Sequence, residues 1–399
     1  MGAYCEENQT SKKMAASRIS FIGKCISELN TPAFLVDKKI VIRNCDRMIK
    51  RCQELGVSLR PHSKTHKTVE GSTLQTGGTK RKIVACTLND AQFFSQHGFD
   101  DILYGFPLLA QHIPRCASLA NKLDEFHVMV DNGEVVKSLT SSTLLQPGKK
   151  WSVFIKINAG NNRAGIWWED TEKIVQVASL VANSKTAKFQ GIYLHCGDSY
   201  YQKTHDTVLE VRKNGTTAIL SVAETLEKAG IPCKTFGIGS TPSCSMDFTK
   251  SADGNLARLT EAHPGNYIFY DAQQESIGSC TFDDLACRVM TRVIGHYPSA
   301  NYMLIDCGFT ALTKQGFNLL KTPGFSVIQG EPNLKVTALT QEIGKVEAID
   351  GKLDYSKYPV GSPLFLYPYH VCATAAMHPV YYVHEGDKVI EEWIPTRGW

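Results

Sequence analysis

No uninterrupted apolar run approaches the ~20 residues that a membrane-spanning helix requires, so a membrane is not an expected partner. There is no long basic run either. The formal net charge is +4 over 399 residues, and the cluster TKRK (Thr79 to Lys82) is short enough to be a solvated loop. Nucleic acid is therefore not expected, because its binding proteins concentrate lysine and arginine on one face. Thirteen cysteines are present, yet no C-x-x-C pair occurs among them. Their scatter along a long chain fits reduced thiols rather than a disulfide framework, and the expected location is cytoplasmic. The opening residues MGAYCEENQTSKK lack the apolar core of a secretory signal. Gly2 is followed by Glu6 where a myristoylation motif has Ser or Thr. No internal repeat and no low-complexity segment is visible.

What remains is an ordinary globular composition, 43% hydrophobic and 21% charged, long enough for one large domain and a smaller one. FLVD (Phe34 to Asp37) reads as a strand, and Lys38 to Leu55 as a helix ended by Gly56. VSLRPH, KIVACT, DILYGF, FHVMV, WSVFIKIN, FQGIYLHC, CKTFGIG and a run through ARLTEAHPGNYIFYD then give eight strand candidates. Helical stretches such as EDTEKIVQVASLVANS and TTAILSVAETLEKAG lie between them. That alternation predicts an α/β protein built on a (β/α)8 TIM-like barrel, with FLVD left over to pair elsewhere. From about Ser276 the texture changes to β-rich runs (CRVMTRVIGHY, YMLIDCG, FSVIQG, KVEAID, SPLFLYPYH, PVYYVHEGDKVIEEW) punctuated by turn residues. A second, mostly antiparallel β domain is expected there. The boundaries read as 31–275 for the barrel and 276–399 for the β domain, with 1–30 a tail or packed on the β domain.

The densest chemistry sits in LRPHSKTHKT, Leu59 to Thr68. Lys64 follows the first barrel strand, at the end where barrel active sites form. A lysine amine can form a Schiff base with a carbonyl once burial or a nearby cation lowers its pKa, and His62, His66 and Lys67 are candidates for that environment. A basic loop with one lysine placed by accident is the alternative. GIGSTPS (Gly237 to Ser243) and HPGNY (His263 to Tyr267) follow the seventh and eighth strand candidates, where barrels often cradle a phosphate. Each alone is also an ordinary polar turn. A phosphate anchor facing a Schiff-base lysine suggests pyridoxal 5'-phosphate. Arg163, in KINAGNNRAGI, could contact that cofactor's phenolic oxygen or a substrate carboxylate, or could be a surface ion-pairing residue. Tyr193 and His195 alternate onto one strand face, with Tyr200 just beyond. Late in the chain, His370 and Cys372 are spaced i, i+2, and in an extended segment both would point the same way. Imidazole and thiolate suit Zn2+, with His378 as a rival ligand.

RPHSKTHK, GSTPS, GNY and HVC together resemble the D-serine dehydratase and D-threonine aldolase family of pyridoxal phosphate enzymes with the alanine racemase-like fold. The resemblance runs from TPAFLVD at Thr31 to the end. It implies that Lys64 is catalytic and carries the cofactor, that Thr241, Gly265 and Asn266 hold its phosphate, and that Tyr193 and Tyr200 lie beside it. The aldolases resemble one another in a late H-x-D, the eukaryotic dehydratases in H-x-C. His370-Val371-Cys372 is therefore similar to the zinc-dependent D-serine dehydratases, which eliminate water from D-serine to give pyruvate and ammonia. The same parts would serve a D-threonine aldolase or a 3-hydroxyaspartate dehydratase, and a non-catalytic pyridoxal phosphate carrier is the alternative of another class. The expected partner is a small D-β-hydroxy amino acid, and a homodimer is implied by resemblance.

Overall fold

In the computed structural model, which describes residues 19–249 and 254–399, the apolar runs form two sheets. The tail and myristoylation readings of residues 1–18 lie outside the described residues. Strand β1 (Ala33–Asp37) is the surplus FLVD run, and it sits in the second sheet. Asp37 then starts the helix Lys38–Leu55, its carboxylate accepting from the Lys39 and Ile40 amides at 3.0 and 3.1 Å. Gly56 ends that helix at φ +73°, where a Cβ would be strained. Val41, Cys45, Met48 and Cys52 recur at helical spacing and turn the buried stripe toward the barrel.

The first sheet runs through β2 (Ser58–Leu59), β3 (Ile83–Ala85), β4 (Asp101–Pro107), β5 (Glu125–Val130), β6 (Trp151–Asn158), β8 (Ala187–His195), β9 (Phe236–Gly239) and β10 (Glu261–Ala262). All are parallel, and the short β7 (Ile166–Trp167) pairs only with β6. The sheet curls until its ends meet: β10 pairs with β2, and a parallel bridge joins His62 to Val84, with the Val84 amide donating to the Pro61 carbonyl at 2.9 Å. These are the eight expected strands, with helices between them. One helix begins earlier than the sequence suggests. It spans His205–Lys228 and is capped by Thr204, rather than starting near Thr216.

The second sheet contains β1, β11 (Cys287–Tyr297), β12 (Tyr302–Ile305), β13 (Ser326–Ile328), β14 (Leu334–Leu339), β15 (Gly344–Ala348), β16 (Pro363–Pro368), β17 (Tyr381–Glu385) and β18 (Lys388–Trp393). Every pairing is antiparallel except β1 with β17. The sequence reading missed β14. The segment around Lys24 straps the last hairpin, with Gly23 N–H donating to the Val389 carbonyl at 2.8 Å. Among the described residues no helix is long and apolar enough to cross a membrane. Every described cysteine is free.

Candidate active site

Alternate residues of a barrel strand point inward, and that periodicity stacks the interior in layers. At the floor, Arg60 pairs with Asp101 at 2.6 Å and with Glu261 at 3.0 Å. Above it Val84, Leu103, Met129, Phe154 and Tyr193 form one closed apolar cluster. Two residues further along their strands come Gly105, Lys156 and His195, which line the barrel mouth together with His62, two residues beyond Arg60. Arg60, His62 and Lys64 are therefore successive inward positions of one segment. Lys64 falls in the 3-10 turn Ser63–Thr65, directly above the mouth.

Lys64, Arg163, Tyr200, Asn266, His370 and Cys372 line one cavity of about 660 Å³. An adjoining cavity of about 420 Å³ shares Lys64, Arg163 and His195 and adds His62 and Lys156. Three candidates stand just behind these walls. Tyr193 lies in the apolar layer, its ring stacked on His263 at 4.2 Å and beneath the Lys156 ammonium at 4.2 Å. Thr241 Oγ1 accepts from the Asn266 amide at 2.8 Å and the Gly265 amide at 3.4 Å, and the Thr241 amide donates to Tyr200 Oη at 3.2 Å. Gly265 has no room for a side chain, since a Cβ would meet the His62 carbonyl at 2.8 Å. The other members of the basic motif turn away. His66 is buried between Thr68 and Gln75, and Lys67 pairs with Asp90 at 3.0 Å.

His370 and Cys372 reach the cavity by a route the sequence reading did not give. Only His370 is extended, as the N-cap after β16; Cys372 belongs to the first turn of the helix Val371–Met377. The run A-T-A-A-M favours a helix where i, i+2 spacing suggested a strand. His370 Nδ1 donates to Gln315 Oε1 at 2.7 Å, which leaves Nε2 free as a lone-pair donor. Cys372 Sγ lies 3.2 Å from Thr65 Oγ1, the residue after Lys64. His378, the rival, directs Nε2 to the Ala311 carbonyl at 2.9 Å and packs against Phe34.

The mouth is strongly basic. Burial, then the field of Arg163, pushes the Lys156 ammonium down to about 7. Burial, then neighbouring cations, keeps His62 and His195 well below their ordinary range. Burial pushes the Cys372 thiol up, opposed by Lys64 and the Thr65 hydroxyl. Burial likewise raises the Asp271 carboxyl and lowers His370, each opposed by the other's charge. Sequence reasoning missed Lys156, Asp271 and Gln315. Lys156 had a signal, a lone cation inside the apolar strand WSVFIKIN; Asp271 and Gln315 had none.

Two family models match the chain: "Alanine racemase, N-terminal domain" over residues 36–272 and "Putative serine dehydratase domain" over residues 286–384. A D-serine dehydratase of Dictyostelium discoideum is 34% identical, covering 94% of this chain and 98% of its own. One of Schizosaccharomyces pombe is 31% identical, covering 95% and 94%. The chain belongs to the D-serine dehydratase family. Among solved structures, the D-threo-3-hydroxyaspartate dehydratase of Delftia sp. superposes with a TM-score of 0.87 at 28% identity, covering 94% of this chain and 100% of that one.

Membership of the D-serine dehydratase family, with its alanine racemase-like barrel, implies pyridoxal phosphate as cofactor. The residues present fit that group. The adjoining cavity is lined by Lys64, His62, Lys156, Arg163 and His195, and no carboxylate lies on its wall. The Gly265 and Asn266 amides converge on the Thr241 hydroxyl and the Thr241 amide donates to Tyr200 Oη, with Tyr200 and Asn266 on the wall of the larger cavity, and glycine lets this loop close against the His62 backbone. For Zn2+ the structure offers a nitrogen and a sulfur donor on one cavity wall. Among the described residues no group of three or more His, Cys, Asp or Glu could hold a metal ion. The pair therefore fits an open site completed by water or substrate, not a closed structural one.

Proposed function

We propose that this chain is a pyridoxal phosphate- and zinc-dependent D-serine dehydratase, a lyase that converts D-serine to pyruvate and ammonia. One observation carries the reading: Lys64 and the His370/Cys372 pair line the same cavity, with Thr65 touching Cys372. The dehydratases from two eukaryotes, similar over nearly the whole chain, support it. A D-threo-3-hydroxyaspartate dehydratase has been solved as a cysteine-to-alanine mutant in a metal-free form and as a histidine-to-alanine mutant, which supports a metal role for His370 and Cys372 here.

Lys64 would hold the cofactor covalently, and the Thr241, Gly265 and Asn266 amides its phosphate. Tyr193 and Tyr200 would flank the ring, and Arg163 would meet its phenolic oxygen or the substrate carboxylate. Pyridoxal phosphate supplies a sink for the electron pair left at Cα, and Zn2+ a Lewis acid for the departing β-hydroxyl. The Lys64 amine would take the Cα proton onto Nζ. Gln315 accepts from His370 Nδ1, which would leave Nε2 for Zn2+. The Cα–H and Cβ–O bonds break, one water leaves, and a second water hydrolyses the unsaturated amine to pyruvate and ammonia.

The test is a panel of D- and L-β-hydroxy amino acids, with and without chelator, scored for keto acid against aldehyde. Pyruvate from D-serine, abolished by chelation with the cofactor still bound, is the expected result. Aldehyde from D-threonine would mark an aldolase, faster turnover of 3-hydroxyaspartate the other dehydratase, and no turnover a carrier. A cytoplasmic location and a homodimer belong to the same proposal, the first supported by the free thiols. So does a division into 31–275 and 276–399, supported by the family models ending at 272 and resuming at 286.

A further inference from the structure

One buried carboxylate at this site has no part in the scheme above. Asp271 is 1% exposed and lies between the Gly265–Asn266 loop and the segment of His370 and Cys372. Its Oδ2 accepts from Asn266 Nδ2 at 2.7 Å and from the Val371 amide at 3.0 Å. Its Oδ1 accepts from the Gln274 amide at 3.0 Å and caps the short helix Ala272–Ser276. All three partners are donors, the pattern that an acceptor-only carboxylate satisfies. Val371 is the residue between the two candidate metal ligands, and its amide is the peptide link to His370. The neighbouring Gln273 repeats the bridge: its amide donates to the Tyr369 carbonyl at 3.1 Å, and its Nε2 to the Tyr200 carbonyl at 3.1 Å.

One oxygen thus fixes a side chain of the phosphate loop and the backbone of the metal pair together. We propose that Asp271 is a positioning residue that couples the two halves of the site, so that cofactor affinity and metal affinity rise together. The inference rests on the reading that Asn266 serves the phosphate and His370/Cys372 the metal. Binding on either side immobilises one donor to the shared oxygen, and the other donor then meets an oxygen already in place. Linkage requires that the two affinities change by the same factor.

The test uses the full chain. Zn2+ affinity is measured by competition with a chromogenic chelator, with and without saturating pyridoxal phosphate. Pyridoxal phosphate affinity is measured by its absorbance, with and without Zn2+. The wild type should show reciprocal enhancement of roughly tenfold, within the usual range of such couplings. In Asp271→Asn the amide keeps one oxygen and opposes an NH2 to N–H donors, so the enhancement should fall to within about twofold of unity. Asp284→Asn, which removes a different buried capping carboxylate, should keep it, which separates coupling from general loosening. Full enhancement in Asp271→Asn would overturn the clamp alone. So would a wild type that binds both groups independently, a measurement that needs no variant to fold. A wild type that binds no Zn2+ or no pyridoxal phosphate would overturn the functional reading and the clamp with it.

Discussion

Two lysine amines open into the same cavity, Lys64 from the turn after β2 and Lys156 from within β6. Lys156 has the amine that burial leaves half neutral near pH 7, so reactivity alone would favour it. Position favours Lys64. It is adjacent to Thr65, which contacts Cys372, whereas Lys156 lies one layer lower with its ammonium over the Tyr193 ring. Borohydride reduction of the pyridoxal phosphate-loaded protein should therefore fix the cofactor to the peptide carrying Lys64. Lys64→Ala should lose the reducible absorbance band and at least about a thousandfold in activity, while Lys156→Met should keep the band. A tag on Lys156 would reverse the assignment. Lys64 was legible in the sequence because it follows the first barrel strand, at the end where barrel active sites form. Asp271 and Gln315 were not, because each meets the site through tertiary contacts with segments about a hundred and about fifty-five residues away.

At the scale of elements, the eight barrel strands were readable because strands covered on both faces read as continuous apolar runs. What the runs hid was the polar floor. Arg60 bonds Asp101 and Glu261, Asp101 meets His127 Nε2 at 3.2 Å, and His127 Nδ1 meets Ser152 Oγ at 2.7 Å. These residues come from four different strands and the segment just after β2, and no local pattern joins them. β14 escaped notice because its alternation is short and breaks at the exposed Ala338, where the pairing register shifts. The floor also makes a stability prediction. Arg60→Met would leave Glu261 buried without its ion pair and Asp101 with His127 alone, at a cost of about 3–5 kcal/mol. Arg81 bonds two aspartates from the exposed TKRK loop, and Arg81→Ala should cost less than about 1 kcal/mol. Urea unfolding of the two variants compares them directly, and equal losses would mean the floor is no more than a screened surface pair.

Across the whole molecule, several histidines sit where water does not reach. Burial lowers His66 and His378 to about 4 and His263 to about 3. Each of these rings stays neutral in the folded chain while its unfolded counterpart protonates near 6.5. Below that pH the unfolded state binds more protons, so stability falls as pH falls. Each ring contributes a slope of up to about 1.4 kcal/mol per pH unit until its folded pKa is reached. Burial likewise lowers His127, despite its bond to Asp101. Asp101 and Glu261 are held below their ordinary range, with Arg60 and, for Asp101, His127 outweighing burial, so their stabilisation is lost only below about pH 4.5. The interval from pH 6.5 to 4.5 therefore belongs to the histidines. The melting temperature of cofactor-free protein should drop steadily across that interval, and His66→Gln should flatten the slope by close to one proton. A melting temperature that holds constant from pH 7 to 5 would mean that these rings accept protons without unfolding the barrel.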